Sequence, residues 1–281
     1  MYSWRRLREK IFIYIISIVS LLALLPIAHL IITVFLNGFN VLLEAGAGFL
    51  FKNPPVPLSR EIGGIGPSLT GSFLLTVISL PVTVILGLFA AILTTEFPRN
   101  PFSLLVDTIA KSLASIPTIA VSMVVFTLVV LPMKRFSALA GATALVIVAL
   151  PYTYSYFSTM LLSIPSTYRE AGFSLAMSRW GVVARILIPI AKRNLMVGVL
   201  MTLARIMGET AALLFTCGRL RTGLPSSLMG PVDAIPLLIF DYILSPFEIW
   251  RRVAWGAALI LLLVYMLIFF AVKFFVKEVR L

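Results

Sequence analysis

Six stretches of the chain, at residues 11–36, 68–93, 112–131, 138–162, 194–216 and 253–275, are apolar over membrane-spanning length. A hydrocarbon core of ~30 Å needs ~20 such residues per helix. Inside lipid every backbone N–H and C=O must find its partner within the protein, which leaves helices as the spanning element for segments of this kind. The expected fold class is therefore all-α integral membrane, with six transmembrane helices. Composition agrees: 60% of residues are hydrophobic and 12% charged, with a mean hydropathy of +1.06. Soluble domains carry about 25% charged residues. Arg5, Arg6, Arg8 and Lys10 precede the first window as they would in a signal peptide. The apolar run outlasts the ~7–15 residues of a signal core and has no small-x-small cleavage site, so an uncleaved first span is expected.

The net charge of +12 would point to nucleic acid in a soluble protein, but its distribution gives another account. Fourteen of the 23 Lys and Arg residues fall in the N-terminal tail, 94–111, 163–193 and the C-terminal end from Lys273 onward. Eight fall in the alternate loops, at Lys52, Arg60, Lys134, Arg135, Arg219, Arg221, Arg251 and Arg252; the last is Arg205, within the fifth window. Cytoplasmic loops carry the excess, so both termini are expected inside, with 37–67 and 218–252 as outer loops. The short Lys134–Arg135 turn runs against this pattern. No nucleic-acid partner is expected.

Several chemistries are excluded by the residues at hand. Cys217 is the one cysteine, so no internal disulfide forms, and the one histidine, His29, builds no metal cluster. His29 reads as a packed or interfacial side chain. No Gly-x-x-x-x-Gly-Lys is present, so any ATP hydrolysis is borrowed. The absence of Gly-x-Ser-x-Gly and His-Glu-x-x-His leaves no obvious nucleophile or metal site, and no cofactor is expected.

The stretch 167–216 is the most informative. Thr167-x-x-Glu170 after Pro165 has the form of a capping box and predicts a helix start. Ser178 predicts the cap of a second short helix, whose apolar face is Val182, Val183, Ile186, Leu187 and Ile190. Gly172 and Ala176, four apart, would leave a smooth strip where another backbone can approach. The competing reading is an amphipathic helix resting on headgroups, which Arg179, Trp180 and Arg185 would suit.

In the fifth window Gly198, Thr202, Arg205, Glu209, Ala212 and Thr216 recur at helical spacing as a small and polar stripe. An ionisable residue at mid-membrane costs ~2.5–3.5 kcal/mol on insertion scales and should face protein or a watery path. Arg205 and Glu209 can pair at i, i+4. The pair is either structural glue or part of a substrate path, and the guanidinium fork suits an oxyanion. Tyr152, Tyr154 and Tyr156 are expected in an interfacial aromatic belt, and Asp107 with Lys111 as a helix-entry pair.

Glu170-Ala171-Gly172, then Ala176, then Ile186-x-Ile188-Pro189 resembles the cytoplasmic Glu-Ala-Ala loop of ABC-importer permeases. That family has Ala, Gly and Leu where this chain has Gly172, Ala176 and Ile188. Leu203 to Thr216 resembles the Ala-Arg-x-x-Gly-Glu-Thr helix of phosphate-importer permeases, nearer the PstA type than the PstC type. Gly63–Gly71, Ser115-Ile116-Pro117 and Phe136–Gly141 also fit. The resemblance implies a type I, MetI-like permease fold: a tail at 1–10 and a six-span domain at 11–281, with the coupling loop at 163–193. It implies a second permease subunit (PstC type), two ATPase subunits (PstB type), which bind the ATP, and an external phosphate-binding protein (PstS type). Glu170, Ala171, Gly172 and Ala176 become the expected ATPase-coupling residues. Arg205, Glu209, Thr202 and Thr210 become the expected lining of the path for inorganic phosphate. The alternatives are another oxyanion (sulfate, molybdate or phosphonate) or a membrane sensor or assembly subunit without a transport path.

Overall fold

The computed structural model describes residues 2–277, with side chains for residue 4 and residues 8–274. The tail charges at Arg5, Arg6, Lys277 and Arg280 lie outside the described side chains. Nine helices make up the described chain. They are α1 (Tyr2–Ala45), α2 (Gly66–Glu96), α3 (Pro101–Ala114), α4 (Thr118–Met133), α5 (Ala138–Leu162), α6 (Ser166–Ser174), α7 (Arg179–Met207), α8 (Ile235–Ile243) and α9 (Glu248–Lys277). Five are long and apolar enough to cross a membrane, and six spans result if α3 and α4, bent by 107° at their junction, act as one.

Local chemistry sets the boundaries. Asn100 caps α3 by accepting from Phe102 N at 3.0 Å, with Pro101 at the first helical position, where its missing N–H costs nothing. Ser137 caps α5 by accepting from Ala140 N at 3.1 Å. The third apolar window is not one straight helix. Pro117 lacks an N–H and disfavours helical geometry at Ile116, so the chain stops at Ala114 and restarts at Thr118 in a new direction. A π turn at Phe126–Val130 follows inside α4.

The 44 residues of α1 would extend about 66 Å at 1.5 Å per residue, twice a hydrocarbon core. From residue 8 to 32 the helix is exposed throughout this single chain, and it joins the body at its C-terminal end. The body is built on α2 packed along α5, where small residues permit close approach. A Cβ on Gly87 would stand 2.8 Å from Thr153 Cγ2, and one on Gly141 3.0 Å from Leu75 Cδ2. One core, with Phe157, Leu161, Val182 and Leu187, fills the end carrying the loops after α2 and α5. Another, with Phe49, Ile65, Leu238 and Tyr242, fills the opposite end beneath α8.

At that opposite end a clasp holds α8 across the start of α2. Ser68 donates to Asp233 Oδ2 at 2.6 Å and Ser72 Oγ accepts from Ile235 N at 2.8 Å. Arg221 lies 3.5 Å from Asp233 and donates to Asp241, to which Arg219 Nε also donates at 2.7 Å. The Arg221 guanidinium covers the Tyr242 ring, which stacks on Trp250, whose indole N–H donates to Pro55 O. The loop from 218 to 252 is held by these contacts, and its apolar part folds as α8.

Asp233 is fully buried, and burial pushes its carboxyl above the usual 3.8 although Arg221 and Ser68 pull it down. A carboxyl raised on folding favours the folded state below its ordinary pKa and loses that contribution as pH rises through the folded value. In Asp233→Asn this titration is gone. Melting temperature in detergent should rise for the wild type as pH falls from about 7 toward about 4, by more than it does for the variant. Equal slopes in the two proteins would refute this account of the clasp.

Candidate functional site

The membrane helix that carries Arg205 is α7, and it breaks where the sequence pattern continued. It ends at Met207, Gly208 terminates it, and a 3-10 turn at Ala211–Leu213 follows. Arg205 and Glu209 therefore pair across a helix end rather than along a helix, with Arg205 Nη2 3.1 Å from Glu209 Oε2. The two partners differ in environment. Glu209 is 5% exposed and its Oε1 accepts from Ala212 N at 3.3 Å, while the Arg205 side chain keeps 35% of its surface open. Its guanidinium lies 4.8 Å from the centre of the Tyr152 ring on α5. A cation at a helix C-terminus is favourable, and the aromatic face adds to that. The result is a positively charged fork pinned on two sides, with donors left over for an anion.

The break is held by its neighbours. Tyr265 of α9 donates to Ala204 O at 3.1 Å, and its hydroxyl fills the place that a Cβ on Gly208 would take. Ser122 of α4 donates to Ala212 O at 3.0 Å and accepts from Phe215 N at 3.4 Å. Thr210 begins the 3-10 turn, its carbonyl accepting from Leu213 N, beside the ion pair. Thr202 departs from its expected place on the path. It is buried and shares a 2.9 Å hydrogen bond with Thr153, so it serves the contact between α7 and α5. Beyond Gly208 the stripe is no longer helical, and Ala212 and Thr216 are buried in the packed segment that follows.

The loop at the other end differs from its sequence pattern in four ways. Helix α6 starts at Ser166 behind Pro165 with no side-chain cap, because Pro165 takes the position that the capping box gave to Thr167. Ala176 is not on the helix beside Gly172; it lies past the helix end at φ +55°, a left-handed conformation that favours glycine. Gly172 is buried and faces inward, where a Cβ would stand 2.8 Å from Val182 and 2.9 Å from Ile186. What remains exposed is Glu170, Ala171 and Ala176. Ser178 does cap α7, accepting from Gly181 N at 3.1 Å, but that helix is no separate piece. It runs through a π turn at Val183–Leu187 directly into the membrane span.

Three contacts at this loop escaped the sequence pattern. Glu96, at the end of α2 and 8% exposed at its side chain, takes both oxygens to Arg169 of α6 at 2.7–3.2 Å. Arg169 also donates to Leu161 O and Ile164 O at the end of α5, at 3.0 and 2.9 Å. Arg179 donates to the Glu96 carbonyl at 2.8 Å and lies over Phe97, which packs on Trp180. Tyr152 and Tyr154 form no interfacial belt. One covers Arg205, and the other is buried and donates to Asp107 at 2.7 Å. Asp107 and Lys111 do pair, at 2.7 Å, but within α3 rather than at its entry. No spacing rule in the sequence links Glu96 to Arg169, 73 positions apart.

Comparison with known proteins gives a consistent result. Residues 83–281 match the family model described as binding-protein-dependent transport system inner membrane component. The probable phosphate transport system permease protein PstA of Methanocaldococcus jannaschii is 36% identical over 278 residues, covering 98% of this chain and 95% of its own. The phosphate transport system permease protein PstA of Haemophilus influenzae is 32% identical over 280 residues, covering 98% and 96%. Among solved structures, the inward-facing MetNI methionine ABC transporter gives a TM-score of 0.60 at 18% identity, covering 78% of this chain and 95% of that one. At that identity the likeness concerns the fold, which is the MetI-like permease fold.

Two substitutions in the loop should move stability in opposite directions. Ala176→Gly relieves a left-handed alanine and should stabilise by about 1 kcal/mol. Gly172→Val pushes on Val182 and Ile186 and should cost ~1–3 kcal/mol by overpacking. Melting temperature in detergent reports both, and a rise for Gly172→Val would place that residue on the outer surface after all.

Proposed function

The chain belongs to the binding-protein-dependent transport system inner membrane components, and on that premise we propose that it lines half of the translocation path of an ATP-driven phosphate importer. It is the permease subunit and leaves ATP binding and hydrolysis to partner ATPase subunits of the PstB type. A second permease of the PstC type completes the path, and an external binding protein of the PstS type delivers phosphate. Both termini lie in the cytoplasm and the arginine clasp on the outer side, in keeping with the Lys and Arg asymmetry. Residues 11–281 act as one permease domain.

The observation that carries this reading is Arg205. A phosphate stripped of bulk water needs a fixed positive group, and this one stands at a break in a membrane helix, held by Tyr152 and Glu209 and still 35% open. Glu209 does not touch the anion, since like charges repel. It orients the guanidinium and keeps the empty site near neutral. Thr210, next to Glu209 in the chain, is the further residue we assign to the path, whereas Thr202 supports the helix from behind.

Arg205→Gln removes the charge and leaves Glu209 unpaired, so Arg205→Gln with Glu209→Gln is the control that separates substrate contact from glue. In the double variant the complex should assemble, while uptake at low phosphate falls roughly 10- to 100-fold, the worth of a charge-assisted contact of ~1.5–3 kcal/mol. Wild-type uptake in the double variant would remove Arg205 from the path.

Coupling runs through the loop 163–193. Glu170, Ala171 and Ala176 offer the exposed surface to the ATPase, and Gly172 holds α6 against α7 behind it. Motion of α6 reaches the bundle by two routes: the unbroken α7, which leads to Arg205, and the Arg169–Glu96 pair, which leads to α2. Glu96→Gln keeps the side chain's shape and weakens that second route. It should leave the ATPase bound and lower the phosphate moved per ATP hydrolysed several-fold, with Arg169→Met behaving alike. An unchanged ratio in both would show that the pair is only structural.

A further inference from the structure

The C-terminal part of α1 carries a polar stripe that neither the ion pair nor the coupling loop uses. Its members are His29, Thr33, Asn37, Asn40 and Glu44, spaced at four, four, three and four residues and thus on one face of an otherwise apolar helix. This face borders a crevice along one flank of the contact between α1 and α9. The helices meet closely there, since a Cβ on Gly38 would stand 2.7 Å from Trp255 O.

Two adjoining cavities occupy the flank. One, of about 400 Å³, is mostly apolar, lined by His29, Leu30, Thr33 and Val34 of α1, with Ile239 and Ile243 of α8 and Ala258 of α9 across it. The other, of about 370 Å³, is polar, lined by Asn37, Asn40, Glu248, Arg251 and Arg252. Trp255 lines both. Along α1 their centres are some seven residues apart, about 11 Å at 1.5 Å per residue. Along α9, running the other way, the order is the same: the polar cavity lies where α9 begins and the apolar one deeper into the span. Tryptophan at such a join is the usual occupant of the headgroup level.

The charges at the polar end are mixed. Arg252 is paired with Glu44. Arg251 reaches only the carbonyls of Ser245 and Pro246, both at 3.4 Å, the weak limit of hydrogen bonding. Glu248 has no ion-pair partner among the described side chains. One cation and one anion with spare capacity suit a ligand bearing an anion and a cation of its own.

We propose that this crevice is a binding site for a phospholipid with a primary-amine headgroup. Its acyl chain fills the apolar cavity, its phosphodiester meets Arg251 and its ammonium meets Glu248, with Trp255 at the boundary. A single-charge anionic headgroup would leave Glu248 opposed, and a protein helix would have to match the polarity step with its own charged pair.

Tryptophan quenching by brominated acyl chains tests this directly. The protein, purified with its co-purifying subunits, is placed in phosphatidylcholine bilayers doped with brominated phosphatidylethanolamine or brominated phosphatidylglycerol. Subtracting the signal of Trp255→Phe isolates Trp255. Quenching should reach half its maximum at a several-fold lower mole fraction of the ethanolamine lipid, and Arg251→Ala with Glu248→Gln should abolish the difference. Glu248→Lys, a single surface change, should reverse it in favour of the glycerol headgroup, which decides the matter if the double variant does not assemble. Equal quenching by both lipids in the wild type would overturn the proposal, leaving only annular lipid. So would a Trp255 that neither lipid quenches in the complex, because a partner subunit then covers the crevice.

Discussion

Interrupting a helix inside a membrane strands carbonyl and amide groups where no bulk water can satisfy them, and the rest of this structure is arranged to meet that cost at Gly208. Each such group left bare costs several kcal/mol. Here Tyr265 supplies a donor to Ala204 O, Glu209 an acceptor to Ala212 N, and Ser122 both a donor and an acceptor to the next turn. Four elements, α4, α5, α7 and α9, thus converge on one break. Their convergence leaves Arg205 where it is: in the last turn of α7, cationic where the helix end favours a cation, and partly open.

The same logic explains why the ion pair is asymmetric. A buried pair gives little net stability unless its remaining donors and acceptors are satisfied. Glu209 spends both oxygens, one on Arg205 and one on the backbone, and is buried. Arg205 spends one nitrogen on Glu209 and its face on Tyr152, and its Nε finds no partner. The carboxylate is buried with both oxygens engaged, and the guanidinium is the partly open member of the pair.

Much of this was legible in the sequence, and the failures have physical causes. Apolar windows gave the spans because lipid enforces helix and length together. The Arg205–Glu209 pair was visible because charge in an apolar run is rare. What periodicity could not show was where the helix stops. An i, i+4 pattern continues on paper through Gly208, whereas the helix ends there, with the hydroxyl of Tyr265, 61 positions on from Ala204, against its last turn. The apolar pattern of the third window likewise runs on through Pro117, where the chain turns by 107°. Gly172 was singled out correctly as a close approach but turned the wrong way, since α6 is too short for its polarity to show which side is packed. Glu96 was overlooked because a glutamate at the end of a span looks like any interfacial charge until its partner is seen.

A link between the two ends of the molecule follows from one continuous element. Helix α7 begins at the Ser178 cap on the loop, passes through a π turn at Val183–Leu187 and reaches Arg205 without a break. A π turn holds an extra residue in the helical circuit, and it can be taken up or released without melting what flanks it. At its start Arg179 and Trp180 are fastened to the end of α2, and at its far end Gly208 leans on α9. A displacement of the loop relative to α2 must therefore be absorbed at the π turn or delivered to the break at Gly208. The inner side of that π turn is packed, with Val183 and Leu187 buried against α2 and α5, so little slack is available there. The side chain that a shift delivered to Gly208 would re-aim first is Arg205, in the last turn of α7.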